Sequence, residues 1–350
     1  MGMRAAVTRR PGVLELATVD EPAGPGPGEV LVRPELVGVC GSDLHLFRGH
    51  LPVTPKGKES LYPVVQGHEV CAVVEALGEG AGAGGLSVGD RVALWPLTSC
   101  GECYPCRSGR AAVCDAFELI GVHVDGGLGE QLVVAAGKAL PIGDLPAALG
   151  AFVEPTAVAV HALERARLEA GEPVVVLGGG PIGQATALAA RARGARVLLS
   201  EPVERRRRQA LAFGVEGAVD PLQGDLAAEA RAFAGAGGVP VVIDTTGLPA
   251  GLAGAVAMVA SAGRVVVVGI SDADATVPLE PFTSKEFDLL GSSCHDRADV
   301  EAAVEVVAGA AERLESALGP EFALAEAGAA MAFAGEHPEA AMKVLVRVTG

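Results

Sequence analysis

The sequence predicts an α/β fold: a Rossmann-type, doubly wound parallel sheet joined to a second, mostly β domain. Three observations carry this. The chain has 350 residues, more than one ordinary core holds, so two domains are expected. From Glu154 onward, Val- and Ile-rich runs alternate with helical patterns, which implies a parallel sheet covered on both faces. Before that point, short apolar runs are punctuated by Gly and Pro, which reads as a mostly β domain up to about residue 150.

Each element follows from its local pattern. "PGPGEVLVRPELVGVC" is a Pro/Gly turn and an apolar strand, "YPVVQGHEVCAVVEALG" a strand pair, and "VGDRVALWP" another strand. "PTAVAVHALERARLEAG" has helical spacing and stops at Gly171. "PVVVLGGGPIGQATALAARARGARVLLSEP" is strand, glycine turn, helix and strand, and "PVVIDTTG" and "GRVVVVGIS" add two strands. A last apolar strand is expected over 287–293 and a helix over 298–308. The tail "AMKVLVRV" reads as a strand returning to the first domain.

Composition narrows the function classes. Half the residues are hydrophobic and a fifth are charged, a globular balance. The net charge of -16 argues against nucleic acid as a partner, because phosphate binding needs a basic face. The basic run Arg205 to Arg208 reads as a solvated helix face. The N-terminal residues lack the apolar core of a secretory signal. The uncharged stretch from Thr245 to Gly263 is broken by Gly and Pro, so it reads as a buried helix and not a membrane span. A cytoplasmic location is therefore expected. Thiols stay reduced there, so clustered cysteines suggest metal and not disulfides.

Three constellations carry chemistry. In "GGGPIG", Gly178, Gly180 and Gly183 fit G-x-G-x-x-G between a strand and a helix, with Pro181 and Ile182 at the helix start. The first glycine makes the turn, the second admits a pyrophosphate, and the third lets helix pack on strand. Glu201 stands about 20 residues on, where a carboxylate bonds ribose hydroxyls, which favours NAD over NADP. Arg205 and its neighbours could instead recruit a 2′-phosphate. The second constellation is "VCGSDLH" with "GHE": Cys40, Ser42, Asp43, His45, His68 and Glu69. Thiolate and imidazole are natural zinc ligands, and a catalytic zinc keeps one position open. His68 and Glu69 reach one metal only across a bend, which Gly67 permits. The third is Cys100, Cys103, Cys106 and Cys114, spaced C-x2-C-x2-C-x7-C. Four thiolates suit a closed structural zinc site, with an iron–sulfur cluster as the rival reading.

On "CGSDLH", "GHE", "VGDRV", the four-cysteine lobe and "GGGPIG", in this order along the chain, it resembles the zinc-containing medium-chain alcohol and polyol dehydrogenases over nearly its whole length. The resemblance implies a GroES-like catalytic domain over 1–155 and 294–350, a structural zinc lobe at about 97–115, and a Rossmann domain over 156–293. It implies two zincs per chain. Cys40 and His68 match catalytic zinc ligands, and Glu69 matches a glutamate that can move onto the metal. Glu154 stands where alcohol dehydrogenases proper carry a further cysteine, as in the sorbitol, butanediol and threonine dehydrogenase branches. Ser42 matches the hydroxyl that bonds the substrate oxygen, and His45 the outer histidine of a proton relay. The implied activity is hydride transfer between a secondary alcohol (polyol, cyclitol or sugar-derived) and NAD. The alternatives are a threonine-type amino-alcohol dehydrogenase or a non-catalytic nucleotide-binding relative. The implied assembly is a homo-oligomer, tetramer or dimer. Phe47, Trp95, Phe117, Phe152 and His123 lie near these motifs as either pocket or core residues, and His161 reads as structural.

Overall fold

The computed structural model describes residues 2–50, 60–235 and 237–349. It divides into two compact units, one of Met1–Glu154 with Asp296–Gly350 and one of Pro155–His295. In the first unit the chain forms β1 (Gly2–Arg10), β2 (Val13–Asp20), β3 (Glu29–Gly38), helix α1 (Gly41–Arg48), β4 (Val64–Val65), β5 (Glu69–Leu77), β6 (Arg91–Leu94), β7 (Leu97–Thr98), β8 (Glu118–Leu119), β9 (Leu132–Ala135) and β10 (Ala139–Pro141).

The second unit contributes β11 (Pro173–Leu177), β12 (Arg196–Ser200), β13 (Gly217–Val219), β14 (Val239–Asp244), β15 (Val259–Val267) and β16 (Asp288–Gly291). These six strands are all parallel, in the order β13-β12-β11-β14-β15-β16. The first strand of the unit is thus central, and the chain winds outward from it on both sides, the doubly wound pattern. β11 and β14 are continuous apolar runs with almost every residue buried, as a sheet covered on both faces requires. The switch of direction between β11 and β14 opens a crevice at their carboxyl ends, and "GGGPIG" follows β11 there.

The chain then returns to the first unit with β17 (Glu321–Ala323) and β18 (Leu345–Arg347). The main sheet of that unit runs β10-β6-β5-β3-β18-β17, and β1 sits between β2 and β4 in a smaller sheet. β3 is its axis: Val30, Val32, Pro34 and Leu36 are buried in alternation, with partners on both edges. Pro34 lacks the N–H a ladder needs, and the register to β5 slips beside it. Alternate Val and Ala side chains from these sheets make the core of the unit.

One expectation is corrected. The uncharged stretch from Thr245 to Gly263 is not one buried helix. It is a turn, a short helix Pro249–Met258 burying Ala255, Val256 and Met258, and the start of β15. Gly and Pro split it into three elements. Among the described residues, no helix is long and apolar enough to cross a membrane.

Candidate active site

Cys40 caps the N-terminus of α1 in extended conformation, and Gly49 closes the helix at φ 75°. The Cys40 N–H donates to Asp43 Oδ2 at 2.9 Å, half of a capping box that fixes where the thiol sits. His68 and Glu69 arrive on another element. Gly67 adopts φ 98°, a left-handed bend that turns the chain just before β5. Glu69 then pairs with Gly38 across the β3–β5 ladder. A Cβ on Gly38 would lie 2.0 Å from Glu69 Oε2, so this glycine makes the room for the carboxylate. The donor atoms of Cys40, His68 and Glu69 all lie within 4.8 Å of one another.

His68 is buried, with Nδ1 3.5 Å from Asp43 Oδ1 and Nε2 3.2 Å from Ser42 Oγ. Burial works against the imidazolium, but the Asp43 carboxylate outweighs it with help from Cys40. His68 therefore sits well above its ordinary range. Glu69 Oε1 accepts from Lys343 Nζ at 2.6 Å, and both side chains are buried. Burial pushes Glu69 up, Lys343 pulls it down, and the nearby Glu154 charge pushes it up again; the net shift is upward. Lys343 is held above its ordinary value, because Glu69, Cys40 and Glu154 outweigh its own burial. Asp43 Oδ1, His68 Nδ1 and Glu69 Oε2 are buried with no hydrogen-bond partner among the described residues. Asp43 Oδ1 and His68 Nδ1 face each other at 3.5 Å, which leaves Glu69 Oε2 as the orphaned acceptor; beside a thiol and an imidazole it suits a cation, and the sulfur–nitrogen–oxygen donor set suits zinc.

Glu154 is buried in the first turn of the helix Val153–Ala166, near enough to act on Glu69 but outside the trio whose donors converge. His45 is exposed in the last turn of α1 and does not join them. Lys343 was absent from the sequence-predicted site. The available signal was a lysine inside the apolar run "AMKVLVRV", a buried charge in need of a partner.

The four-cysteine lobe is separate. Cys103 Sγ lies 3.4 Å from Cys106 Sγ and 3.7 Å from Cys114 Sγ, which lies 3.5 Å from Cys100 Sγ. A tetrahedron with zinc–sulfur distances of about 2.3 Å has edges of about 3.8 Å. A disulfide would need about 2.05 Å. The lobe therefore fits a closed four-thiolate metal site. Backbone N–H groups of Cys106 and Asp115 pull the Cys103 thiol down to about 6, while burial and the neighbouring sulfurs push Cys106 up to about 12, so the four thiols share protons as one cluster.

In the second unit, Gly178 turns with φ 95°, and a Cβ on Gly183 would meet the Gly178 carbonyl oxygen at 1.9 Å. Above Gly180 there is open space, while Pro181 and Ile182 start the helix Pro181–Ala192. Glu201 ends β12. Its Oε2 accepts from Gly179 N at 2.7 Å and its Oε1 from Val203 N at 2.9 Å. Gly179, a variable position in the pattern, is the glycine that admits the Glu201 side chain. Of the basic run, Arg205 and Arg208 are exposed. Arg206 turns to within 3.6 Å of Glu201 and Arg207 to within 3.3 Å of Asp220, so that run is only half a solvated face.

The neighbouring aromatics divide. Phe152 is fully buried core. Phe117 packs edge-on against His123, whose Nδ1 accepts from Leu119 N at 2.9 Å, a turn-closing contact. Trp95 lies half-buried with Lys138 Nζ 5.1 Å from its ring, and Phe47 and His161 are half-buried on their helices.

Residues 26–144 match the family model of an alcohol dehydrogenase GroES-like domain, and residues 181–309 that of a zinc-binding dehydrogenase. The chain is 36% identical over 326 residues to 2-dehydro-3-deoxy-L-galactonate 5-dehydrogenase of Pseudoalteromonas atlantica, covering 92% of each. It is 35% identical to L-galactonate-5-dehydrogenase of Escherichia coli, over 77% of this chain and 76% of that one. An alcohol dehydrogenase from Escherichia coli CFT073, solved with NADH, superposes with a TM-score of 0.88 at 29% identity, covering 99% of both chains.

Proposed function

The chain belongs to the zinc-containing medium-chain alcohol dehydrogenase family, and on that premise we propose that it oxidises a sugar-derived secondary alcohol with NAD. The observation that carries this is the convergence of Cys40, His68 and Glu69 donors within 4.8 Å, beside the Ser42 hydroxyl. The sugar-acid substrates named for the two curated relatives support a polyhydroxy substrate over a simple alcohol.

Zinc held by Cys40 and His68, with Glu69 or Glu154 in reserve, would supply Lewis acidity toward the substrate oxygen. The chain's own groups do the rest. Ser42 Oγ lies 3.2 Å from His68 Nε2, beside the donor set, and takes the hydroxyl proton of the substrate. His45, exposed at the far end of α1, returns that proton to solvent. Asp43 orients the His68 ring through Nδ1, which leaves Nε2 for the metal. Lys343 offsets one of the negative charges gathered by Cys40, Glu69 and Glu154.

On the cofactor side, Gly178, Gly180 and Gly183 with the N-terminus of the helix Pro181–Ala192 would hold a pyrophosphate. Glu201 takes the ribose, with Arg205 and Arg206 beside it. The Glu201 carboxylate supports NAD over NADP; among the structural neighbours one is bound to NADH and another to NADP. A second zinc in the four-cysteine lobe is structural. The exposed edge strand β16 and the exposed Ile270 and Leu279 support a homo-oligomer, tetramer or dimer. The clustered thiols of the four-cysteine lobe, read as metal ligands and not as disulfides, support a reducing, cytoplasmic setting.

The test is a panel of sugar acids, polyols, cyclitols and threonine, each with NAD and NADP, run on the wild type and on Cys40→Ser. Turnover of a sugar-derived alcohol with NAD that vanishes in Cys40→Ser is expected. Wild-type turnover by Cys40→Ser would remove Cys40 from the chemistry, and a preference for threonine would move the substrate to the amino-alcohol branch.

A further inference from the structure

Gln66 is a polar residue in the apolar run before Gly67 and His68, and its side chain is fully buried. Burying a carboxamide is unfavourable unless both ends are bonded. Here both are. Gln66 Oε1 accepts from Thr8 Oγ1 at 2.5 Å, and Gln66 Nε2 donates to the main-chain oxygen of Asp43 at 3.0 Å. Thr8 is itself fully buried, on β1. An apolar side chain would serve packing alone, so the amide is there for its direction.

That direction joins two elements. The segment carrying His68, between β4 and β5, is held on its other side by main-chain bonds: Gly126 N to Val65 O at 2.7 Å, Leu128 N to Gln66 O at 3.0 Å and Gly127 N to Gly67 O at 2.9 Å. Asp43 belongs to α1 and is a node. Its Oδ2 receives the Cys40 N–H, its Oδ1 faces His68 Nδ1, and its main-chain oxygen receives Gln66 Nε2. The Gln66 amide therefore ties the helix cap that holds Cys40 to the β4–β5 link that presents His68 two residues later.

We infer that Gln66, anchored by Thr8, is a positioning residue that sets the separation of the Cys40 and His68 donors. This rests on the reading that Cys40, His68 and Glu69 hold zinc. Outer partners of metal ligands are worth about 10- to 100-fold in metal affinity.

The experiment follows zinc release from the loaded, full-length protein into a chromogenic chelator. Two release phases are expected, one missing in Cys40→Ser and the other in Cys103→Ser. In Gln66→Leu the phase that depends on Cys40 should accelerate at least tenfold, while the phase that depends on Cys103 stays put. Thr8→Val, which removes only the hydroxyl, should move the same phase in the same direction by less, and Thr8→Ser should match the wild type. The Thr8 pair keeps the test alive if Gln66→Leu folds poorly. Release within twofold of wild type in both Gln66→Leu and Thr8→Val, or equal acceleration of both phases with a lowered melting temperature, would overturn the positioning role alone. If the wild type carries one zinc that Cys40→Ser does not affect, the donor-set reading falls, and this inference with it.

Discussion

Lys343→Met isolates the buried ion pair beneath the donor set. Lys343 Nζ and Glu69 Oε1 are 2.6 Å apart, and their side chains are 2% and 0% exposed, so water screens neither. At an effective dielectric constant of about 20, two unit charges at that distance attract by about 6 kcal/mol. Desolvating both ions offsets much of this. The better guide is that removing one member of a buried pair costs about 3–5 kcal/mol, because the survivor is left uncompensated. The survivor here is a carboxylate already pushed upward by burial and by Glu154. Lys343→Met should therefore cost about 3–5 kcal/mol, a large share of the roughly 5–15 kcal/mol that holds an ordinary domain folded. Replacing both partners with apolar groups removes the orphan, so Glu69→Met added to Lys343→Met should restore most of the loss. Trp95, the one tryptophan of the chain, lies in the same unit as the pair, so its fluorescence under denaturant reports on that unit. A Lys343→Met midpoint equal to wild type would show that the pair carries no charge of consequence. A double variant as unstable as the sum of the single ones would show that the two side chains are not coupled.

Four further outcomes are expected. Elemental analysis should find two zincs per wild-type chain and one in Cys103→Ser, whose melting temperature should fall before its activity per folded molecule does. A single zinc in the wild type would remove one of the two sites. Glu201→Ala loses a charged acceptor worth about 1.5–3 kcal/mol, so NAD should bind roughly 10- to 100-fold more weakly by fluorescence titration. Arg206→Ala and Arg205→Ala should each raise the NAD-to-NADP preference. Arg206→Ala should do so more, because its guanidinium lies 3.6 Å from the Glu201 carboxylate. Burial pulls the Lys138 ammonium down to about 8, against the Leu97 carbonyl it donates to and the Trp95 ring it faces. An unfolded lysine holds its proton to about 10.4. Between these values the unfolded chain binds more protons, so stability contributed at this site rises with pH from about 8 to about 10. Lys138→Met should flatten that rise in the Trp95-monitored midpoint, and an unchanged pH profile would reject the reading of a lowered Lys138.

Local constraints were legible in the sequence, and long-range register was not. The glycine turn is a short-range steric problem: only glycine turns at φ 95° as Gly178 does, and only glycine packs as close to its carbonyl as Gly183. The four thiols sit within one short loop, so their spacing alone suggested tetrahedral ligation. Cys40, His68 and Glu69 also announced themselves, because Gly67 supplied the one bend their geometry needs. Lys343 and Glu69 are 274 residues apart, and nothing near either names the other. The tail offers two basic residues, Lys343 and Arg347, in one apolar run. Lys343 is buried against Glu69, while Arg347 is exposed and pairs with Glu321 at the surface. What separates them is register. β18 aligns Leu345 with Gly38 of β3, and β5 aligns Glu69 with the same Gly38 from the opposite edge. That double alignment carries Lys343 past the end of β3, to the Val39 carbonyl and the Glu69 carboxylate. A slip of one residue would turn the strand's buried face to solvent and reverse its side chains. The charge that balances the donor set is thus supplied by strand pairing and not by any motif. For the same reason, a lysine in an apolar run could signal that a buried acid exists without saying which.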